Sequence, residues 1–276
     1  RIFKYKLRKK IKKQIKMAGR GRPRKSVVQS VKAPLQVKLT KMNNVKFDDS
    51  LFTPTKTGTI VDTILSTEGG VFPGTNTIVV GDPGVGKSTV LLDWLANFQA
   101  KGKKVLFVSG EMNEIDLHGY VKRYPKFGRV PILFMQNYAD NAQAALEGVL
   151  KEGFDIVLVD SWAEVNDLVQ EENGWTRRKA ESWLLDLMDE HNKANNKSNS
   201  HSAFICIQQM TKGGDFAGSN RIKHMTTAMA HIKFDGRGRD ALRYIEFTKN
   251  RRGDVGDKIF FSLFRQDHVE YSFEEI

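Results

Sequence analysis

Residues 81–88 read Gly-Asp-Pro-Gly-Val-Gly-Lys-Ser, and this stretch decides the fold. It fits the pattern G-x-x-x-x-G-K-[ST]. Ahead of it, Thr77-Ile78-Val79-Val80 is a short β-branched run that reads as a buried strand. Behind it, Leu91, Trp94, Leu95 and Phe98 recur at helical spacing. Strand, glycine loop and helix in that order are the context that makes the pattern a phosphate-binding loop rather than a chance glycine-rich turn. The glycines let backbone N–H groups close around phosphate oxygens. Lys87 adds a point charge toward the β- and γ-phosphates, the Ser88 hydroxyl can sit on Mg²⁺, and the helix N-terminus favours the anion. The stretch therefore predicts a nucleoside triphosphate site. Gly81, Asp82, Pro83, Gly84, Val85, Gly86, Lys87, Ser88 and Thr89 are its expected binding residues.

The chain has 276 residues, 40% of them hydrophobic, enough for a substantial core in one large domain or two modest ones. No run of eighteen apolar residues is present, so the reading is of a protein with no membrane partner. No secretory signal is read either, because the basic start is not followed by a continuous apolar stretch. Cys206 is the single cysteine, which excludes an internal disulfide and any multi-cysteine zinc site. It lies in the apolar run Ala203–Ile207 and reads as a buried small hydrophobe. These signs fit a cytoplasmic location.

The formal charge of +12 is uneven. Residues 1–25 hold 13 of the 44 Lys and Arg and no acid, while the rest carries 31 basic against 32 acidic residues. The basicity belongs to a tail and the body is nearly neutral. Residues 1–16 read as an upstream or truncated extension, since Met17-Ala18 looks like an ordinary start. Phe3, Leu7, Ile11 and Ile15 would also line one face of a basic amphipathic helix, although a solvated, disordered extension is the preferred reading. Arg20-Gly21-Arg22-Pro23-Arg24-Lys25 resembles the AT-hook, whose arginines enter the narrow minor groove of A·T-rich DNA. A non-specific basic tail is the equal alternative, and both make Arg20, Arg22, Arg24 and Lys25 candidate DNA contacts. The expected organisation is a basic, disordered tail over 1–25, a linker over 26–56 with a strand around 35–39, and a globular domain over 57–276.

Within that domain, 104–108, 154–160 and 203–207 read as further buried strands, with a helix over 141–150. One long helix follows Asp160, with Ala180, Trp183, Leu184, Leu187 and Met188 on one face. Alternating strands and helices predict an α/β fold with a mostly parallel sheet flanked by helices. Residues 241–248 and 258–264 predict an antiparallel C-terminal extension. Asp160 ends an apolar strand some seventy residues after the loop, where a carboxylate can hold Mg²⁺; a turn or helix-cap role is the alternative. Glu111 ends the strand between the two and can orient an attacking water. Glu114 and Asp116 are its rivals on spacing alone.

Five motifs in order resemble the RecA-like ATPase core of the bacterial RadA/Sms branch of the RecA superfamily. They are Thr57-Gly58 leading to 69–74, GDPGVGKST (81–89), VSGE (108–111), QMTKGG (209–214) with Ala217-Gly218 and His224-Met225, and Lys249-Asn250-Arg251-Arg252-Gly253. The last has Arg252 where the family has phenylalanine, and the resemblance covers about residues 57–265. It implies a RecA-like P-loop ATPase using ATP and Mg²⁺, with Ser88 and Asp160 on the metal side. It implies Lys87, Glu111, Gln209, Lys249 and Arg251 as catalytic residues. Glu111 matches the water-activating residue and Gln209 the γ-phosphate sensor. Lys249 and Arg251 match cations offered to a neighbouring subunit's ATP, which implies a homo-oligomeric ring or filament. On the residues alone, 249–253 reads as an ordinary basic hairpin turn. The loop 211–221, with Lys212 and Arg221, matches the segment facing single-stranded DNA.

The family's four-cysteine zinc module and its Lon-protease-like domain have no counterpart here. The expectation is of the core alone, with the tail in place of the zinc module, a form that suits a phage-infected or bacterial cell. The first functional reading is an ATPase stimulated by single-stranded or branched DNA, acting in recombination, repair or replication beside recombinase or replication partners. The alternative is a non-motor, ATP-switched DNA-binding or recombination-mediator protein resembling the KaiC-like regulators. A small-molecule kinase is disfavoured, since no lid-like arginine cluster is present.

Overall fold

A computed structural model describes residues 37–46, 48–192, 201–209, 222, 226–236, 238 and 241–274. The chain divides into two units, Arg1–Lys46 and Phe47–Ile276. In the first, residues 37–46 are exposed and hold one 3₁₀ turn, Met42–Asn44. The strand expected around 35–39 does not form over its described part, where Val37 and Leu39 are 71% and 89% exposed.

In the second unit the described residues form one nine-stranded sheet. In chain order its strands are β1 (Asn76–Gly81), β2 (Val105–Ser109), β3 (Ile132–Phe134), β4 (Ile156–Asp160), β5 (Ala203–Gln208), β6 (Ala228–Asp235), β7 (Leu242–Asn250), β8 (Lys258–Ser262) and β9 (Glu270–Ser272). Their spatial order is β3-β2-β4-β5-β1-β6-β7-β8-β9. Neighbours from β3 to β6 run parallel, and β7, β8 and β9 add antiparallel. This is the mostly parallel sheet with an antiparallel extension that the sequence predicts.

The helices are α1 (Asp62–Leu65), α2 (Lys87–Ala100), α3 (Glu114–Arg123), α4 (Ala142–Leu150), α5 (Trp162–Asn173) and α6 (Arg177–His191). Every residue of β1, β2, β4 and β5 is buried, which a parallel strand covered by helices on both faces requires. Successive side chains alternate between two cores. Val79, Phe107, Leu158 and Ile205 pack with Leu91, Trp94, Leu95 and Phe98 of α2. Ile78, Leu106, Val157 and Cys206 pack on the other face with Leu146, Val165 and Leu184 of α4, α5 and α6. Cys206 is fully buried, which pushes its thiol up to about 12.

The single long helix expected after Asp160 is two helices. Gly174, left-handed at φ 58°, closes α5, and the Thr176 side chain accepts from Lys179 N to open α6. A left-handed glycine followed by a threonine cap stops one helix and starts another. The last predicted strand also ends early, at Ser262, and Leu263 and Phe264 beyond it line a cleft.

Candidate nucleotide site

The parallel strands carry the site at their C-terminal ends. Strand β5 lies between β1, which leads into the glycine loop, and β4, which ends at Asp160. Gln209 therefore stands between the two. A cleft of about 610 Å³ opens over these strand ends, lined by Gly81, Pro83, Gly84, Gly86, Lys87, Ser88, Thr89, Glu111, Asp160 and Gln209 among others. Of the expected loop residues, Val85 turns its side chain into the core and Asp82 contributes a carbonyl rather than a wall. Gly86 has φ 101°, and a Cβ there would lie 2.6 Å from Leu263 Cδ1, so only glycine fits.

Lys87 opens α2 and donates from Nζ to the carbonyls of Gly81 and Asp82, each at 2.9 Å. Burial lowers its pKa, while Asp160, Asp82 and Glu111 oppose that shift. Ser88 Oγ donates to Asp160 Oδ2 at 2.6 Å. Asp160 is 2% exposed, and burial raises its pKa to about 6; Glu111 adds to the rise, and the Ser88 hydrogen bond and Lys87 oppose it. A buried carboxylate held back from ionising beside a serine hydroxyl is a hard oxygen pair that a divalent cation would satisfy. Among the described residues no cluster of three or more His, Cys, Asp or Glu could hold a metal alone. A Mg²⁺ at Ser88 and Asp160 would take its remaining ligands from phosphate and water. The Asp160–Ser161 peptide is cis, and Ser161 caps α5.

The structure separates the three acidic rivals. Glu111 lines the cleft and is exposed to it. Asp116 closes the capping box of α3, accepting from Asn113 N at 3.4 Å, and Glu114 accepts from Asn137 Nδ2 at 3.4 Å. Glu111 is placed by β2, since Gly110 N donates to Asp160 O at 2.7 Å and Gln136 Nε2 to Gly110 O at 3.1 Å.

Lys249 and Arg251 are not in this cleft. Asn250 pairs with Ala228, which pairs with Thr77 at the start of β1, whereas Ile232 pairs with Gly81 at its end. Four strand residues separate the two levels, roughly 13 Å along the sheet. The segment is firmly held. Asn250 Nδ2 donates to the carbonyls of Ile64 and Leu65 at 3.2 Å, Thr67 N donates to Arg252 O at 3.0 Å, and the Arg252 guanidinium lies 5.0 Å from the Phe72 ring centre. A Cβ on Gly253 would sit 2.9 Å from Ser66 Cα, so the chain can lie this close only as glycine. Lys249 Nζ donates to Thr226 O at 2.7 Å, and burial and then Arg251 lower its pKa. Arg251 is exposed. The predicted DNA contacts Lys212, Arg221, Arg20, Arg22, Arg24 and Lys25 lie outside the described residues, as do Met210–Gly214 and His224-Met225.

Sequence reasoning missed the cleft's other wall: Tyr120, Arg123, Arg243, Leu263 and Phe264. Among the described residues the buried Arg243 Nε has no hydrogen-bond partner, and Phe264 is 87% exposed. Arg123 Nη2 donates to Leu263 O, and burial raises the pKa of the Tyr120 hydroxyl, with Asp160 adding to the rise. No motif marks these residues; only the register of β7 on β6 and the end of β8 bring them together. Behind this wall, Asp93 of α2, 1% exposed, joins Lys126 Nζ (2.6 Å), the Tyr271 hydroxyl (3.0 Å) and Val269 N (3.3 Å). That network fastens β9 to the helix of the glycine loop.

No protein-family model matches the chain. In sequence it is similar to the DNA repair protein RadA of Mycobacterium tuberculosis, 28% identical over 197 residues, 71% of this chain and 39% of that protein. It is also similar to RadA of Campylobacter jejuni, 29% identical over 201 residues, 71% of this chain and 41% of that protein. The chain thus spans about two-fifths of the length of the curated relatives it matches. In fold it is similar to a KaiC-like protein of Pyrococcus horikoshii, with TM-score 0.58, 19% identity, and 80% and 99% of the two chains covered. The flagellar accessory protein FlaH of Methanocaldococcus jannaschii gives TM-score 0.57, 14% identity and the same two coverages, 80% and 99%.

Proposed function

We propose that this chain, a RecA-superfamily ATPase core related to RadA, binds Mg²⁺-ATP in the cleft and hydrolyses it between subunits under the control of single-stranded or branched DNA. The observation that carries the reading is the separation of the two halves of the chemistry. Lys87, Ser88, Asp160, Glu111 and Gln209 converge on one cleft, while Lys249 and Arg251 stand at the opposite end of the same sheet. Cations so placed can serve an ATP only from the next copy, which calls for a head-to-tail homo-oligomer, a ring or filament.

In this reading Lys87 leaves its two loop carbonyls to meet the β- and γ-phosphates. Ser88 and Asp160 would hold Mg²⁺, which would neutralise charge on the phosphates. Glu111 orients the attacking water and takes its proton, and Gln209 senses the γ-phosphate at the head of the 211–221 loop. Arg123, Arg243 and Phe264 face the nucleotide's base and ribose. The setting is the cytoplasm of a bacterial or phage-infected cell, in DNA recombination, repair or replication. Among the described residues no helix is long and apolar enough to cross a membrane.

The test is ATP turnover with and without single-stranded DNA, on the native chain and on the Lys87→Ala and Glu111→Gln variants. DNA-stimulated turnover that both substitutions abolish supports the reading. Turnover indifferent to DNA overturns its DNA part and favours an ATP-switched binding protein.

A further inference from the structure

A second cavity, of about 580 Å³, lies in the same unit and is nearly as large as the nucleotide cleft. Lys104, Asp155 and His201 on its wall stand just before β2, β4 and β5. It therefore sits at the opposite ends of the strands that lead to Glu111, Asp160 and Gln209. The five residues of β2 or of β4, roughly 17 Å of strand, separate it from the nucleotide edge.

Its wall is cationic. Lys104 Nζ donates to Glu152 O at 2.7 Å and lies 4.7 Å from the Phe154 ring centre, so this charge is held in place. Lys103, half-buried beside it, has its ammonium in no ion pair or hydrogen bond among the described residues. The one lining acid, Asp155, is turned to the chain itself, its Oδ2 accepting from Lys104 N at 2.8 Å.

A buried hydroxyl shares the wall. Thr55 lines the cavity and is 6% exposed. Its N–H and carbonyl are both spent on Val71, at 2.8 Å each, and its hydroxyl has no hydrogen-bond partner among the described residues. Such a group carries a desolvation cost that a ligand oxygen would remove. Ser50 adds a second hydroxyl, while Leu51 and Pro73 give the cavity an apolar side. Two ammonium groups repel a metal ion and select an oxyanion. Phosphate has the charge for both lysines and enough oxygens to meet Thr55 as well. A concave site with a few polar groups and an apolar side is the form that small-molecule sites take.

We propose that this cavity is a second ligand site, separate from the nucleotide cleft, that takes a small phosphorylated molecule. Lys103, Lys104 and Thr55 hold the phosphate, and Leu51 and Pro73 lie against the organic part. Neither ATP hydrolysis nor DNA binding is required for it.

The test is equilibrium dialysis of the full chain, free of nucleotide, against inorganic phosphate and, separately, phenyl phosphate. In Thr55→Val/Lys103→Gln the affinity of this site falls about 10- to 100-fold, the scale of lost hydrogen bonds to a charged group, while Mg²⁺-ATP binding is unchanged. Thr55→Val alone weakens phosphate about 10-fold yet leaves the melting temperature level or higher, because the hydroxyl bonds nothing in the free protein. A lowered melting temperature would make Thr55 structural and overturn its role. Phenyl phosphate binds more tightly than inorganic phosphate, since Leu51 and Pro73 cover its ring. Equal affinities overturn the organic half of the assignment and leave free phosphate as the ligand. Native and double-variant chains that bind phosphate alike overturn the site and leave the cleft reading standing. A native chain that keeps the phosphate contrast but does not bind ATP overturns the cleft reading alone.

Discussion

The glycine-loop cleft and the Lys249–Gly253 segment occupy opposite ends of one sheet and are built by opposite means. The cleft is made by convergence. Side chains from the ends of β1, β2, β4 and β5 meet, and its polar groups already bond one another, Lys87 to loop carbonyls and Ser88 to Asp160. The segment is made by anchoring. Asn250 and Gly253 spend themselves fixing the backbone to α1 and Ser66, which presents Arg251 at the surface. The difference separates two kinds of motif residue: those that act and those that hold the acting ones in place.

The comparison can be broken most sharply at Arg251. In Arg251→Ala, ATP affinity stays within a few-fold while turnover falls by about 10³–10⁵, the scale of a trans-acting arginine. Equilibrium nucleotide binding and steady-state turnover together check this, and a loss of affinity without a loss of turnover would undo the division of labour. Gly253→Ala tests the anchor. Its new methyl meets backbone at Ser66, so the segment must shift, and turnover should drop about 10- to 100-fold through misplacement of Arg251.

Much of the cleft was legible in the sequence, and little of what surrounds it. Strands β1, β2, β4 and β5 read clearly because they are buried on both faces and so are continuous β-branched or apolar runs. Strand β6 escaped because it marks the change from parallel to antiparallel pairing, and its half-covered positions admit His231, Lys233 and Asp235. Helix α3 has no fully buried residue, and its stripe is short: Leu117, Tyr120 and Val121 pack only partly buried against the core, among charged neighbours. Lys249 and Arg251 could be matched to a motif, but their place at the far edge needed the register of β7. Arg123, Arg243 and Phe264 reach the cleft only through tertiary packing.

Smaller effects sharpen the picture of the cleft. Because the folded pKa of Asp160 stands near 6, above its ordinary 3.8, a proton competes with Mg²⁺ as pH falls through that value. Mg²⁺-dependent ATP binding should be about fourfold weaker at about pH 5.5 than at about pH 7.5. The linkage has a definite sign. This group's contribution to metal-free stability is full below its unfolded pKa and is lost as pH rises through about 6. Asp160→Asn should therefore raise the melting temperature of the metal-free protein in alkaline buffer and leave it nearly unchanged near pH 4. The smallest effect is expected behind the Arg243 wall. Tyr271→Phe removes one hydrogen bond to buried Asp93 and should cost about 1–3 kcal/mol in denaturant unfolding, with turnover little changed.

The central claim, one site shared by two copies, is tested most directly by mixing two inactive variants. Glu111→Gln keeps the anchored cations and lacks the carboxylate proposed to orient water; Arg251→Ala is the reverse. Mixed in equal amounts and allowed to assemble, they should regain up to roughly a quarter of native turnover, the share of head-to-tail interfaces that join the two intact halves. A mixture that stays as inactive as its parts, while still co-assembling, would contradict the account.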